Sequence, residues 1–291
     1  MELDLSKRLG KYKKHKISEY LDRELLIGNF WKGFKPEILN KKMLIVGVGG
    51  SGCNVALGLG RMGFQEIVLV DKDKVEASNF TRQVLYRVED IGLDKARVAG
   101  KRMKEHSLGK VKSYKMDILK NRKKFDNLVK DADFVFGLVD NRGGQYFITE
   151  RCAFHKKPMV SGGTDPVTGL VAVFRYMGGK GYCEECISRS SEKAPVDWLG
   201  YYSGISNVKR SKVVKEKIKE YDEKIKHADR CASTYITASC GANLMISAML
   251  GHFMGREVPG LVIFNLLTFD IWKFYPRRWK DCPICERYQD K

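Results

Sequence analysis

The chain alternates short apolar runs with polar, helix-spaced stretches, and glycine marks most of the borders. Met43 to Val48 is a continuous apolar run closed by glycines, the pattern of a strand buried on both faces of a parallel sheet. Asn54 to Met62 follows with helical spacing. Glu66 to Val70 reads as the next strand, Phe134 to Val139 as another, and Pro158 to Val160 as a short one. Gly169 to Tyr176 alternates apolar and polar positions and predicts an antiparallel strand. Upstream, Ile17 to Phe34 reads as one or two helices. These elements predict an α/β fold: a Rossmann-like, mostly parallel sheet with helices on both faces.

Beyond Cys186 the pattern changes. Ser206 to Arg230 is dense in Lys and Glu, with Val214, Ile218, Tyr221 and Ile225 forming a narrow helical stripe. Cys231 to Gly255 contains no Lys, Arg, Asp or Glu, but Ser233, Thr237, Asn243 and Ser247 interrupt it, so it predicts a buried helix rather than a membrane span. Leu261 to Tyr275 reads as a strand or hairpin, extending the sheet by an antiparallel C-terminal part. The division that follows is a helical arm over 1–42 and one domain over 43–291, with 187–230 inserted as a segment carrying the Lys-rich helix.

Composition adds direction. The 291 residues are 43% hydrophobic and 30% charged, which excludes disordered, collagen-like and coiled-coil chains. Lys and Arg number 53 against 35 Asp and Glu, a formal charge of +18 that favours anionic partners. Residues 1–16 are polar and basic with no apolar core of a secretory signal. With eight cysteines in such a chain, metal-binding or catalytic thiols are expected ahead of a disulfide framework, and the expected location is the cytoplasm, off the membrane.

Gly47, Gly49 and Gly52 form a G-x-G-x-x-G directly after the first predicted strand, with Gly50 inside it. Such a loop brings backbone N–H groups and a helix N-terminus onto a phosphate. Nineteen residues past Gly52, the second strand ends in Asp71, at the interval for a ribose-binding acid. The alternative is a tight strand–helix turn with no ligand. Asp73, Asn79, Arg82, Gln83 and Lys95 follow within DKDKVEASNFTRQ and its continuation to DIGLDK. Two cations beside a glycine loop suit a triphosphate more than a nicotinamide dinucleotide, and Asp140, closing the strand FVFGLVD, lies where Mg²⁺ is held near phosphates. The bland alternative makes Arg82 and Lys95 solvated charges and Asp140 a helix cap.

Cys183-x-x-Cys186 and Cys282-x-x-Cys285 are two half-sites nearly a hundred residues apart, a set suited to tetrahedral Zn²⁺. Redox use of one pair is the alternative. Cys53 and Cys152 read as packing residues. Cys231, near a predicted helix start with His227 and Arg230 beside it, is a candidate nucleophile; Cys240 lies inside the apolar run.

Together GVGGSGC, DKDKVEASNFTRQ, DIGLDK, VDN at Val139 to Asn141 and the late Cys pairs resemble the ubiquitin-activating superfamily, including MoeB, ThiF and the compact activating enzyme of the ubiquitin-fold modifier. The resemblance runs from about Tyr20 to Arg287. It implies a homodimeric, ATP- and Mg²⁺-dependent enzyme that adenylates the C-terminal glycine of a ubiquitin-like protein. Gly47, Gly49, Gly50 and Gly52 then line the phosphates and Asp71 meets the ribose. Asp73, Asn79, Gln83 and Asn141 frame the pocket. Arg82 and Lys95 neutralise the phosphates, Asp140 holds Mg²⁺, and Cys183, Cys186, Cys282 and Cys285 hold a structural Zn²⁺. YLDRELLIG resembles the family segment whose Arg, here Arg23, crosses the dimer interface, although Glu24 replaces the usual Gln. Cys231 matches the cysteine that takes the modifier as a thioester, without the family's following Pro. The product then goes to a conjugating enzyme, or in the MoeB and ThiF type to a sulfur donor without a thioester. A tRNA-modifying dehydratase of the same superfamily is the rival reading; the intact Cys pairs count against it, so nucleic acid is not the expected partner. A non-enzymatic nucleotide-binding scaffold is the third.

Overall fold

The computed structural model describes residues 17–165, 171–177, 233–266, 269–275 and 277–282, together with Cys183, Cys186 and Cys285. Its centre is an eight-stranded sheet in the order β3-β2-β1-β4-β5-β6-β7-β8. The parallel part comprises β1 (Lys42–Val46), β2 (Glu66–Asp71), β3 (Lys110–Lys115), β4 (Phe134–Gly137) and β5 (Met159–Asp165). The antiparallel extension is β6 (Val171–Met177), β7 (Leu261–Asn265) and β8 (Ile271–Phe274). The class read from the sequence is the class observed.

Period-two alternation splits the apolar strands between two cores. Met43 and Ile45 of β1, Ile67 and Leu69 of β2, and Phe134 and Phe136 of β4 enter one core. There they meet α3 (Gly50–Arg61), α4 (Lys95–His106) and the long α7 (Tyr235–Phe253). Leu44, Val46, Val68, Val70 and Val135 point the other way, against α5 (Arg122–Asp131) and α6 (Arg142–Phe154). Strands sandwiched in this way must be apolar at every position, which is why β1, β2 and β4 were legible as continuous runs.

The order also places the ligand crevice. The chain runs outward from β1 to β2 and β3, then crosses back to β4 on the other side of β1. Open α/β sheets bind ligands at such a reversal, outside the carboxyl ends of the strands. Here those ends carry Gly47 after β1, Asp71 closing β2, and Asp140 after β4.

Several boundaries need correction. The helix expected from Asn54 begins at Gly50, because its first turn is the glycine loop itself. The strand expected over Pro158 to Val160 continues to Asp165: Ser161, Gly162 and Gly163 pair with β6, so glycines that read as punctuation lie within the ladder. The helical stretch Ile17 to Phe34 is broken into α1 (Ile17–Tyr20), α2 (Asp22–Leu26) and a 3₁₀ turn, Ile27–Asn29. Leu21, at the break, is 1% exposed and plugs the core against Gly63. The Leu261 to Tyr275 segment is a hairpin, β7 paired with β8. The insertion over 187–230, its Lys-rich helix and the basic residues 1–16 lie outside the described residues. Among the described residues, no helix is long and apolar enough to cross a membrane.

Candidate functional site

The glycine loop is fixed by backbone packing. Gly47 has φ +93°, a left-handed conformation that side chains disfavour, and a Cβ there would meet the Leu138 carbonyl oxygen at 2.4 Å. Gly52 lets α3 start beneath the loop, since its Cβ would lie 2.0 Å from the Gly47 carbonyl oxygen. Gly49 is the N-cap of α3 and has no side chain, so the helix's first turn has no side-chain cap from that position.

Asp71 braces this loop. Its carboxylate accepts from the Val48 N–H at 2.6 Å and from the Asp73 N–H at 2.8 Å. Burial pushes its carboxyl above the usual value, and the two N–H donors and the nearby Lys95 charge work against that rise. From the far side, Tyr86 donates its hydroxyl to the Val48 carbonyl at 2.7 Å, and the Cys53 thiol donates to the same oxygen at 3.3 Å. Desolvation pushes the Cys53 thiol up to about 12, which fits its packing role. Tyr86, Val48 and Asn54, whose amide donates to the Gly50 carbonyl at 2.8 Å, were missed in the sequence. The signal available was their position beside the glycine motif.

The segment after β2 delivers the polar residues. Asn79 is 5% exposed and its side chain accepts from the Glu76 N–H at 3.0 Å, so it shapes the turn that carries Arg82 and Gln83. Arg82 donates to the Ser78 carbonyl at 2.8 Å, and its Cγ lies 3.4 Å from a Cβ built on Gly50. Gln83 is 3% exposed, its amide nitrogen lies 4.0 Å from a Cβ built on Gly49, and its carbonyl oxygen is buried with no partner among the described residues. Lys95, first residue of α4, is held by its backbone N–H on the Asp73 carbonyl at 2.9 Å. Its side chain is buried, and among the described residues it forms no ion pair or hydrogen bond. Asp73 is exposed beside it.

On the other side of the crevice, Asn141 caps α6 by accepting from the Gly144 N–H at 2.8 Å. The helix-cap reading of Asp140 is therefore corrected: its neighbour does that work, and Asp140 is exposed with no partner among the described residues. α7 points its N-terminus at the same loop, with Ala238 Cβ 3.3 Å from a Cβ built on Gly50. Thr234 and Thr237 cap that helix reciprocally. Cys231, three residues earlier, lies outside the described residues. Cys240, on α7, is half-buried, and burial pushes its thiol up. Arg23 stands with its side chain 92% exposed and a 3.9 Å approach to Asp22.

A second centre joins the 183–186 segment to the C-terminal part of the chain. Cys183, Cys186, Cys282 and Cys285 are all buried, and their sulfurs lie within 4.8 Å of one another. The separations are 3.9 Å for Cys183–Cys186, 3.4 Å for Cys183–Cys282 and 3.7 Å for Cys186–Cys285. Zn–S bonds of about 2.3 Å in a tetrahedron place the sulfurs about 3.8 Å apart, so the donor set fits the ion. Hydrogen bonds from neighbouring sulfurs favour the Cys186 thiolate, whereas Cys183 and Cys285 are pushed above the usual thiol value. One bound cation would stabilise all four as thiolates. The four cysteines belong to the same buried cluster as the α5–α6 core, against which Trp272, Phe274 and Trp279 pack.

A glycine loop at the reversal of a parallel sheet, with a buried lysine beside it and an exposed carboxylate across the crevice, is the layout of Rossmann-type nucleotide-binding folds. Residues 21–287 match the ThiF family, and the chain belongs to it. It is 32% identical over 171 residues to the adenylyltransferase and sulfurtransferase MOCS3 of Drosophila willistoni, covering 59% of this chain and 37% of that protein. It is 28% identical over 159 residues to the SUMO-activating enzyme subunit uba-2 of Caenorhabditis elegans, covering 55% of this chain and 27% of that protein. The chain thus matches well under half the length of these curated relatives. Among solved structures, E. coli MccB with AMPCPP and MccA superposes with a TM-score of 0.67 at 21% identity, covering 97% of this chain and 78% of that one. PaaA superposes with a TM-score of 0.66 at 20% identity, covering 88% and 82%.

Proposed function

We propose that the protein adenylates the C-terminal glycine of a ubiquitin-like protein with ATP and Mg²⁺. The observation that carries this reading is Lys95 beside the glycine loop: a lysine 9% exposed, whose side chain has no ion pair or hydrogen bond among the described residues and only the braced Asp71 carboxylate near it, is suited to a phosphate the protein does not itself supply. The orphaned carbonyl of Gln83 is an acceptor for a nucleotide donor in the same place.

In this reading Gly47, Gly49, Gly50 and Gly52 let the loop backbone approach the phosphates, and the N-terminus of α3 adds its partial positive charge. Asp71, with its remaining lone pairs, and the exposed Asp73 face the ribose, while Asn79 and Asn141 hold the walls. Arg82 and Lys95 stabilise charge that gathers on the phosphates as the substrate carboxylate attacks the α-phosphorus. That step forms the acyl-phosphate C–O–P bond, breaks the bond from the α-phosphorus to the α,β-bridging oxygen, and releases pyrophosphate. Mg²⁺, when bound, neutralises the phosphate oxygens; Asp140 would hold it. The four clustered cysteines would hold Zn²⁺ as a structural ion.

The active form is proposed as a homodimer in which Arg23 reaches the partner's nucleotide. Phe80, Val88, Ile91 and Leu93 in the segment carrying Arg82, and Phe30 after α2, are large apolar side chains left exposed, the kind that a partner would cover. Residues 187–230 are proposed as a crossover insertion selecting the modifier, and Cys231 as the thiol that attacks the adenylate carbonyl, releases AMP and keeps the modifier as a thioester. A second reading stops at the adenylate and passes it to a sulfur donor; the similarity to an adenylyltransferase and sulfurtransferase favours it.

The test uses a candidate modifier ending in glycine. Wild type should catalyse modifier-dependent ATP–pyrophosphate exchange, Asp140→Ala should lose it, and Cys231→Ala should keep it while losing any thiol-sensitive adduct. Exchange without an adduct in wild type selects the sulfur-transfer reading. No exchange with any glycine-terminated partner would sink both.

A further inference from the structure

The positive charge of the chain is concentrated. Residues 95–130 carry thirteen Lys and Arg against three Asp and Glu, so +10 of the formal +18 lies in α4, β3 and α5. β3 is the edge strand among the described residues, with α4 on one face of the sheet and α5 on the other. Both helices close on the strand: a Cβ built on Gly100 of α4 would lie 2.3 Å from Ser113 Oγ, and Lys124 of α5 sits 4.6 Å above the Tyr114 ring. The three elements form one continuous rim.

The rim's few acids are engaged internally. Glu105 reaches Arg102 at 4.0 Å, Asp126 accepts from His155 at 2.9 Å, and Asp117 accepts from the Leu119 N–H at 3.0 Å. Arg97, Lys101 and Lys104 lie at i, i+4 and i+7, one exposed stripe along α4, and Lys110 continues it onto β3. Past the strand, Lys120, Lys123 and Lys130 are exposed as well. None of these seven cations has an ion-pair partner among the described residues. Lysines on an edge strand also block strand pairing, but α4 and α5 are not edges and that role does not account for their charge.

We propose that this rim docks the phosphate backbone of a double-stranded nucleic acid. The occupant follows from what the rim lacks. Protein interfaces are anchored by aromatic and aliphatic side chains, and only Leu119, 38% exposed, qualifies among the large hydrophobics of residues 95–130. Single strands bind through exposed stacking rings, and no Tyr, Phe or Trp of this stretch is exposed. Polar, strongly positive surfaces without an apolar centre are the surfaces that meet duplex phosphates. Such a rim reads charge and not sequence, so RNA and DNA duplexes of equal length should bind alike. The rim borders the nucleotide site, because Lys115 pairs at 2.7 Å with Asp94, the residue before Lys95.

The experiment is fluorescence anisotropy with labelled RNA and DNA hairpins across a salt series. Seven contacts give a log–log salt slope near −6, taking about 0.9 per phosphate. The triple substitution Lys101→Gln, Lys104→Gln and Lys110→Gln should reduce the slope by about 3 and weaken binding at 0.1 M salt by about 500-fold, with unchanged thermal melting. A control triple, Lys212→Gln, Lys215→Gln and Lys219→Gln, should leave the slope at its wild-type value. A rim variant with the wild-type slope overturns the proposal. So does loss of binding in the control triple alone, or tighter binding of polyglutamate than of duplex at equal charge, which would make the partner an acidic protein. The outcome is independent of pyrophosphate exchange, since none of the three rim residues is assigned to the adenylation site.

Discussion

Replacing Gly52 with alanine separates the loop's packing from its approach to the nucleotide. The new Cβ would lie 2.0 Å from the carbonyl oxygen of Gly47, a residue whose N–H donates to the Val70 carbonyl at 2.8 Å and whose Cα is packed against the Leu138 carbonyl. Close carbon–oxygen contacts begin at about 3.3 Å, so roughly 1.3 Å of backbone movement is required. Overpacking of that kind costs about 1–3 kcal/mol, a fall of several degrees in Tm for a chain of this size. A displacement of about 1 Å at a reacting centre costs about a hundredfold in rate, so modifier-dependent exchange should fall by that factor or more. Gly49→Ala is the informative contrast. Its Cβ meets nothing nearer than Gln83 at 4.0 Å, so melting without nucleotide should match wild type. The methyl would nevertheless stand in the phosphates' approach, and the Tm rise on adding Mg-ATP should disappear. Melting with and without Mg-ATP, followed by exchange assays, reads both effects. A stable, fully active Gly52→Ala, or a Gly49→Ala that still responds to nucleotide, refutes this account of the loop.

The paired cysteines should hold one zinc per chain; Cys183→Ser should lose the metal and lower Tm, whereas metal-free wild type as stable as the purified protein would contradict the site. Mixing inactive Arg23→Ala with inactive Asp140→Ala should recover activity through heterodimers with one intact site, and a fully active monomer by light scattering would remove that prediction. The folded-state value of Asp71 is raised, so its contribution to stability is complete below the usual carboxylate value and is lost as pH rises through the raised one. The stability of wild type relative to Asp71→Asn should therefore decline with rising pH across that window in urea titrations; an increase would mean that the N–H donors from Val48 and Asp73 outweigh burial.

The parts of the fold visible in the sequence are those where one force dominates. β1, β2 and β4 are buried on both faces, so their apolar runs admit few other structures. β3, by contrast, reads KVKSYK: it is a strand because β2 offers it a ladder from Lys110 to Lys115, and its lysines face solvent at the edge. No periodicity in the residues themselves announces it, and α4, β3 and α5 were accordingly not assigned. The glycine loop was legible because its spacing is a steric requirement. The Tyr86 hydroxyl that holds Val48 was not, since a tyrosine 38 residues away becomes a neighbour only once the arm folds back. The Cys pairs were legible as pairs, and their meeting across 99 residues is a product of the β6–β7–β8 extension.

The central claim is that this crevice cleaves ATP between the α- and β-phosphates for the benefit of a carboxylate. The direct measurement incubates the protein with Mg²⁺, α-labelled ATP and a glycine-terminated ubiquitin-like protein, then resolves the nucleotide products. The account requires label in AMP and in an acid-stable acyl-adenylate on the partner, pyrophosphate in equal amount, and neither product from Asp140→Ala or Lys95→Met. Label appearing in ADP, with phosphate released in place of pyrophosphate, would contradict it.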